Sequence, residues 1–207
     1  MKRKTILLIL VISLFCVFSF VQAQEPGGLL IDSFEGIIKG GIDGTVDFGA
    51  GNGSSVDVSA STDIKYCGEQ AIKVAYNAAS GGYIWIGRGY GLDAAGAGAW
   101  EVLPNDINWP EYSAISFYMY GQNSSRFIAF DIKDAGSEMW RFMVQDNFSG
   151  WKQVVCSFPE FYARGDWQPS TADKNANLDF PLKSFQFEPR PEGQGVLYFD
   201  CVELIKQ

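Results

Sequence analysis

The chain has 207 residues and a formal net charge of −8, and 47% of its residues are hydrophobic. This composition suits a single globular domain, and the acidic balance argues against nucleic acids and anionic membrane surfaces as partners. The chain contains no histidine, which removes the usual proton shuttle, the commonest zinc ligand and any Ser-His-Asp or Cys-His mechanism.

The N-terminus has the three-part layout of a secretory signal peptide. Basic residues at positions 2–4 precede an apolar run over residues 6–20, and Ala23 stands where a signal peptidase requires a small residue. A membrane anchor is the alternative, but the apolar run is shorter than the roughly 20 residues of a membrane span. We therefore expect cleavage of residues 1–23. The remaining single domain, residues 24–207, is expected to be secreted, periplasmic or at the cell surface, without membrane attachment.

Short runs of β-branched and aromatic residues, separated by Gly, Asn, Asp and Pro clusters, predict strands along the rest of the chain. The ten predicted strands are 29–33, 55–60, 70–76, 82–87, 113–120, 126–133, 138–145, 151–158, 183–189 and 195–204. No long stripe of helical period, internal repeat or inter-domain linker interrupts them. Ten short strands in one domain predict an all-β fold, a jelly-roll sandwich of two antiparallel sheets.

Alternation along the strands predicts which side chains face outward. In the strands around residues 113–145 and 183–189, the positions opposite the expected core carry polar and aromatic side chains. The resulting surface is mixed aromatic and hydrogen-bonding, unlike an ordinary surface of lysine and glutamate. The candidate ligand-binding residues on it are Tyr118, Asp131, Arg141 and Gln186.

Three cysteines follow the signal segment, namely Cys67, Cys156 and Cys201. An odd number cannot be satisfied by internal disulfides alone. One disulfide and one leftover thiol is compatible with export. However, Cys156 and Cys201 lie within predicted strands, which favours buried free thiols that act as small apolar side chains.

The segment FYARGDWQPSTAD, residues 161–173, concentrates aromatic and charged side chains in one predicted loop. Sugars are bound by an aromatic ring on the apolar pyranose face, with charged groups bonding the hydroxyls. Arg164, Asp166 and Trp167 supply these groups. The same residues also suit a packed loop, with Trp167 as a lid and Arg164 paired to Asp166. From the residues alone, both interpretations stay open.

Several motifs together carry a family resemblance: LLIDSFEG, INWPEYSAISFYMYG, GWKQVVCSFPEF, RGDWQP, LKSFQFEP and GVLYFDCVELI. Their order and spacing resemble those of carbohydrate-binding modules of the galactose-binding-like jelly-roll type, closest to the β-glucan binders of family 11. The resemblance spans nearly the whole chain after the signal segment. It implies non-catalytic polysaccharide binding in a concave cleft.

The resemblance also implies which residues form that cleft. Arg164, Asp166 and Trp167 match the arginine, aspartate and aromatic residue of a cleft loop, with tryptophan in place of the usual tyrosine. Tyr83 matches a second cleft tyrosine. Two other cleft positions of the family, one acidic and one tyrosine, fall on Gly136 and Pro189, which are not expected to bind ligand.

A structural calcium ion that joins the first and last strands is a further implication of the resemblance. Asp32, Glu35 and Asp200 lie where its ligands would come from, and carboxylate oxygens suit Ca²⁺. The alternative is that Asp32 and Glu35 are turn residues and that Asp200 only ends a strand pairing.

Two other functions stay open. A glycoside hydrolase needs two carboxylates, for which Asp131, Asp166 and Glu188 are candidates, but no nucleophile elbow, phosphate loop or metal motif accompanies them. The other function is a secreted structural or assembly β-sandwich at the cell surface. Because such modules are usually attached to a catalytic domain, the expected partners are a polysaccharide and separate glycoside hydrolases or surface assemblies. We expect no catalytic activity.

Overall fold

The computed structural model describes residues 28–92 and 97–206, and the predicted signal peptide lies outside them. The described residues form a sandwich of two antiparallel sheets. Its strands are β1 (Gly28–Asp32), β2 (Asp47–Gly51), β3 (Ser55–Ser61), β4 (Ala71–Ala78), β5 (Tyr83–Gly89), β6 (Tyr112–Gln122), β7 (Phe127–Lys133), β8 (Met139–Gln145), β9 (Ser149–Ser157), β10 (Tyr162–Ala163), β11 (Ser184–Pro189) and β12 (Gly193–Lys206).

Short 3-10 helices and loops connect the strands. The 3-10 helices are Pro104–Asp106, Trp109–Glu111 and Phe158–Glu160, and each has proline near its start. Within the described ranges, no helix has the length and apolar character needed to cross a membrane.

The two sheets have different strand orders. The first sheet is ordered β3-β4-β12-β6-β9, with β1 also paired to β12, and the second sheet is ordered β10-β8-β7-β11-β5-β2. The long strand β12 pairs with β4 through its first half and with β1 through its second half, and β6 pairs along its other side. This architecture confirms the predicted all-β antiparallel jelly-roll sandwich.

Phenylalanine side chains join the two sheets at the centre of the core. Phe187 of β11 stacks on Phe199 of β12 with ring centroids 3.8 Å apart, and Phe117 of β6 contacts Phe130 of β7 at 4.6 Å. All four are buried. Full burial of a phenylalanine side chain stabilises the folded protein by about 1.5–3 kcal/mol relative to leaving it exposed. These inward positions are the ones that alternation predicts.

All ten predicted strands are present, but the sequence pattern missed two others. The strand β2 has the sequence DFGAG, in which Gly49 and Gly51 remove the side chains that signal a strand. The strand β10 is only two residues long and pairs with Arg141 and Trp140 of β8. Both are edge strands of the second sheet.

The prediction of buried free thiols was wrong for Cys201 and correct for Cys156, and the pairing of Cys67 had stayed open. Cys67 and Cys201 form a disulfide, whereas Cys156 is a buried free thiol as expected. The loop after β3 approaches β12 because the backbone N–H groups of Tyr66 and Cys67 both donate to Oδ2 of Asp200. Position within a strand therefore did not prevent pairing, since the partner came from a loop that lies against that strand.

Candidate functional site

The second sheet carries a cleft of about 650 Å³ on the face that points away from the core. A row of cross-strand neighbours crosses this face, with one residue from each of the six strands. The row consists of Asp47, Gly87, Gln186, Asp131, Arg141 and Tyr162. Directly opposite residues in an antiparallel sheet share a face, so the strand register alone gathers these side chains.

The loop after β10 is fastened to the start of β8 by one glutamine. The side-chain amide of Gln168 donates to the carbonyls of Met139 and Arg164, both at 2.9 Å, and its oxygen accepts from the Met139 N–H at 2.7 Å. Arg164 N also donates to the Met139 carbonyl at 2.8 Å. These bonds hold the RGDW segment in place over the sheet.

Below this loop, arginines and carboxylates form a compact cluster. Arg141 donates to both oxygens of Asp131 at 2.8 and 2.9 Å and to Glu188 at 2.7 Å. Arg164 lies 3.1 Å from both Asp131 and Glu188 and donates to Asp166 at 2.7 Å. Arg190 also pairs with Glu188. Because the ion pairs are bidentate and shared, they offset much of the cost of burying these charges.

Within this cluster, Asp166 reaches the solvent. Its side chain is 48% exposed, whereas that of Arg164 is 9% exposed. Partial burial raises the pKa of Asp166, but the hydrogen bond from Arg164 and the charges of Arg164, Arg141 and Arg190 outweigh it and lower the pKa to about 2. Asp166 is therefore an ionised hydrogen-bond acceptor at the edge of the cleft.

Glu188 has the opposite electrostatic character. Burial raises its pKa, against the lowering effect of the charges on Arg164 and Arg141. Its side chain is only 3% exposed, and both of its oxygens contact arginines. Glu188 therefore lines the cleft with little exposed surface, and both of its oxygens are engaged by arginines.

Aromatic rings line the open part of the cleft. Trp167 is 53% exposed and lies beside the guanidinium of Arg164, whose Cζ is 5.5 Å from the ring centroid. Tyr83 of β5 is 48% exposed and lines the same cleft. An arginine over one face of an indole restricts its orientation, so the Trp167 ring is exposed yet held.

The structure brings five of the eight predicted ligand-binding residues to the cleft lining or its edge, namely Arg164, Asp166, Trp167, Tyr83 and Gln186. Asp131 and Arg141 share the same sheet face but are buried beneath the Arg164 loop. Their predicted outward direction is correct, but the expectation that they are exposed was wrong because the loop covers them.

The placement of Tyr118 in this group was wrong. Tyr118 belongs to β6 of the first sheet, and its ring stacks on Tyr66 with centroids 3.6 Å apart, on the side away from the core. Alternation predicts which face of a strand a residue occupies, but it does not predict in which sheet that strand lies.

The sequence interpretation did not select Trp85, which also lines the cleft. Its indole Nε1 donates to Oδ1 of Asp47 at 3.1 Å. Alternation with Tyr83 placed both aromatic residues on one face of β5, so the signal was present. Aromatic side chains in strands usually pack against other residues, and this general tendency outweighed the alternation signal for Trp85.

The three residues expected to bind calcium are engaged by other groups. Arg88 donates to both oxygens of Asp32 at 2.7 Å, and Glu35 accepts from the N–H groups of Glu69 and Gln70. Among the described residues, the one potential metal-ligating group is Cys67, Asp200 and Cys201, and its cysteines form the disulfide.

As arranged, these carboxylates do not fit a common cation site. Asp200 also accepts from three backbone N–H groups, in the loop at Cys67 and in β12. Calcium binding stays a prediction from the family resemblance.

The fold is that of a β-sandwich module, and exposed rings and an ionised carboxylate surround an open groove on the outer face of its second sheet. The family model for the carbohydrate binding domain of family 11 matches residues 22–207. The chain therefore belongs to the family 11 carbohydrate-binding domains, as the motif resemblance implied. A comparison with curated proteins found no significant match.

Solved structures with the same fold include two of family 11 modules from Clostridium thermocellum. One, in complex with a β-1,3-1,4-mixed-linked tetrasaccharide, is 23% identical with a TM-score of 0.66 and covers 86% of this chain and 95% of its own. The other, from the cellulosomal cellulase Lic26A-Cel5E, is 20% identical with a TM-score of 0.65 and covers 89% and 97%.

A β-1,2-glucanase from Parabacteroides distasonis also contains a similar region. It is 15% identical with a TM-score of 0.55, and the match covers 86% of this chain but 24% of the glucanase. The fold of this chain therefore also occurs as a part of a larger enzyme.

Proposed function

We propose that this chain binds a β-glucan-like polysaccharide in the cleft of the second sheet without cleaving it. The observation that carries the proposal is one cleft that combines the exposed rings of Trp167 and Tyr83 with the ionised Asp166. Aromatic rings bind the apolar faces of sugars, and a carboxylate accepts hydrogen bonds from hydroxyls. Family membership supports the proposal, as does the tetrasaccharide complex of the related Clostridium thermocellum module.

Arg164 has a supporting role in this proposal. Its N–H groups donate to Asp166 and Asp131, and its guanidinium lies over Trp167. These contacts position the two groups that face the ligand before binding occurs. A site organised in advance loses less conformational entropy when the ligand binds.

Hydrolysis by paired carboxylates is the second candidate, and the ionisation of Asp166 and the arginine contacts of Glu188 disfavour it. A glycosidase requires one carboxyl group that is protonated near neutral pH and faces the substrate. The pKa of Asp166 is about 2, and Glu188 is buried with both oxygens against arginines. Neither group is suited to donate a proton to a glycosidic oxygen.

Export and association with other proteins belong to the same proposal. The Cys67–Cys201 disulfide supports an oxidising compartment, in agreement with the predicted signal peptide. The related module of a cellulosomal cellulase and the partial match to a larger glucanase support association with glycoside hydrolases or surface assemblies.

Affinity electrophoresis on gels that contain soluble glucans or mannans tests the proposal. We expect retardation on a β-glucan, and weaker retardation for Trp167→Ala. A lack of retardation on every polysaccharide would contradict glycan binding and favour a structural or assembly role. Release of reducing ends from the bound glycan, abolished by Asp166→Asn or Glu188→Gln, would instead establish an enzyme.

A further inference from the structure

Two aromatic rings of β5 lie side by side on the cleft face. Tyr83 and Trp85 are two residues apart in the strand, so both point to the same face. Their ring centroids are 6.0 Å apart, and their planes differ by 22°. They therefore present a nearly continuous surface that is two rings long.

Glycines of the neighbouring strand β2 make room for this surface. Gly51 lies directly opposite Tyr83, and Gly49 lies opposite Trp85. A Cβ atom added at Gly51 would lie 2.3 Å from Cζ of Tyr83, and one added at Gly49 would lie 2.4 Å from Cη2 of Trp85. Each ring therefore lies over the bare backbone of β2.

The backbone conformation does not by itself require these glycines. Neither Gly49 nor Gly51 is among the glycines with positive φ, so an ordinary residue would suit the backbone at both positions. The side chain of an ordinary residue would instead collide with the rings. Asp47 of the same strand accepts the hydrogen bond from the indole Nε1 at 3.1 Å and so fixes the direction of Trp85.

The aromatic cluster on the first sheet has a different geometry. Tyr66 and Tyr118 stack face to face at 3.6 Å, and the rings of Tyr120 and Trp151 meet at 80°. One pair is therefore stacked and the other meets edge to face, as packed aromatic pairs do. The platform of Tyr83 and Trp85, by contrast, uses the backbone of β2 for support and has its other side towards the cleft.

We propose that Tyr83 and Trp85 form a two-ring platform that binds consecutive sugar units of the glycan, with Trp85 adding one subsite next to the one at Tyr83. This inference rests on the proposed function. The centroid spacing is close to the length of one sugar unit, so neighbouring units can each cover one ring. Because Tyr83 and Trp85 follow one another along β5, the bound glycan follows the direction of this strand over the platform.

Titration calorimetry with β-glucan oligosaccharides of increasing length tests this subsite. For wild type, we expect affinity to rise until the oligosaccharide is long enough to cover Trp85. Trp85→Ala should bind the longest oligosaccharides roughly tenfold or more weakly and leave the affinity for the shortest unchanged. Trp85→Phe should retain most of the affinity because a flat ring remains.

Gly49→Ala tests the platform without removal of the indole. The added methyl group should push the Trp85 ring off the strand and lower the affinity for long oligosaccharides. Gly195→Ala is the matched control, because a Cβ atom there has only ordinary contacts, the nearest at 3.5 Å, and the residue lies on the first sheet. Trp151→Ala is the matched tryptophan control on the first sheet.

The outcomes separate this inference from the proposed function. If wild type binds but Trp85→Ala and Gly49→Ala bind equally well, the platform is wrong and glycan binding stands. If Trp85→Ala weakens short and long oligosaccharides alike, an added subsite at Trp85 is wrong. If wild type binds no oligosaccharide or polymer, the proposed function itself fails. Should Trp85→Ala not fold, Gly49→Ala and Trp85→Phe carry the test.

Discussion

Arg88 and Asp32 form a two-point ion pair that is buried between the sheets. The Nε and Nη2 atoms of Arg88 each donate to one oxygen of Asp32 at 2.7 Å, and both side chains are almost completely inaccessible to solvent. Arg88 also donates to Oγ1 of Thr45 at 2.9 Å and lies over the ring of Phe34. The pair thus connects β5 of the second sheet with the end of β1 in the first.

Removal of one partner should be costly because the other charge stays buried and unpaired. We expect Arg88→Met to lower the free energy of unfolding by about 3–5 kcal/mol, measured by urea denaturation. Lys206→Met is the control, because it removes an exposed pair with Glu111 and should leave the urea midpoint unchanged. Equal effects of the two substitutions would contradict a structural role for the buried pair.

The same ion pair bears on the calcium prediction. A cation that used Asp32 as a ligand would compete with Arg88 for both carboxylate oxygens. We therefore expect the melting temperature to be the same in EDTA and in excess calcium. A higher melting temperature in calcium would show that these carboxylates rearrange around the ion, as the family resemblance implies.

The disulfide closes a long segment, since Cys67 and Cys201 are 134 residues apart in sequence. The double substitution of both cysteines by serine should lower the free energy of unfolding by about 2–5 kcal/mol, because the unfolded chain regains conformational freedom. Dithiothreitol should reduce the stability of wild type and leave the double variant unaffected. If the reductant destabilises both proteins equally, loss of the disulfide is not the cause of the lower wild-type stability.

The sequence pattern predicted the sandwich well because burial imposes a strict period of two on its strands. Phe185 and Phe187 are buried while Gln186 between them faces the cleft, as alternation requires. The pattern missed β2 because Gly49 and Gly51 carry no side chain. The property that hides this strand from sequence analysis is the one that allows aromatic rings to lie on it.

For the cleft, sequence analysis identified the loop better than the strands. Arg164, Asp166 and Trp167 are contiguous, so one motif match located them together. Tyr118 could not be judged in the same way, because its position relative to the cleft depends on the order of the strands in the two sheets. Such long-range pairings have no local signal in the sequence.

Trp167 provides the most direct test of the cleft. If its exposed ring stacks on a sugar, Trp167→Ala should weaken binding by about 1–3 kcal/mol, which is roughly 5- to 150-fold in Kd. Isothermal titration with a soluble β-glucan measures this change, and Trp151→Ala on the first sheet provides a matched tryptophan control. An unchanged Kd for Trp167→Ala would support the packed-lid interpretation of the loop.

The last prediction concerns the pH dependence that Asp166 gives to the cleft. Its folded-state pKa of about 2 lies below the ordinary value of 3.8 because the hydrogen bond from Arg164 and the charges of the nearby arginines outweigh its partial burial. A carboxyl group with a depressed folded-state pKa stabilises the folded protein above its unfolded-state pKa. This stabilisation is lost as the pH falls through the folded-state pKa.

Ligand affinity should follow the same ionisation. We expect the affinity of wild type to be constant from pH 7 to about pH 4 and to fall as the pH approaches 2. Asp166→Asn should bind more weakly at pH 7, and its affinity should change less below pH 4 because no carboxylate remains to be protonated.

Since Asp166 is half-exposed, we expect its effect on stability to stay below about 1 kcal/mol. Urea unfolding of both proteins at pH 5 and below pH 3 measures this difference, which should shrink at the lower pH. A wild-type affinity that falls by half between pH 7 and pH 5 would show that Asp166 is not the acceptor, because at those values it is ionised and unchanged.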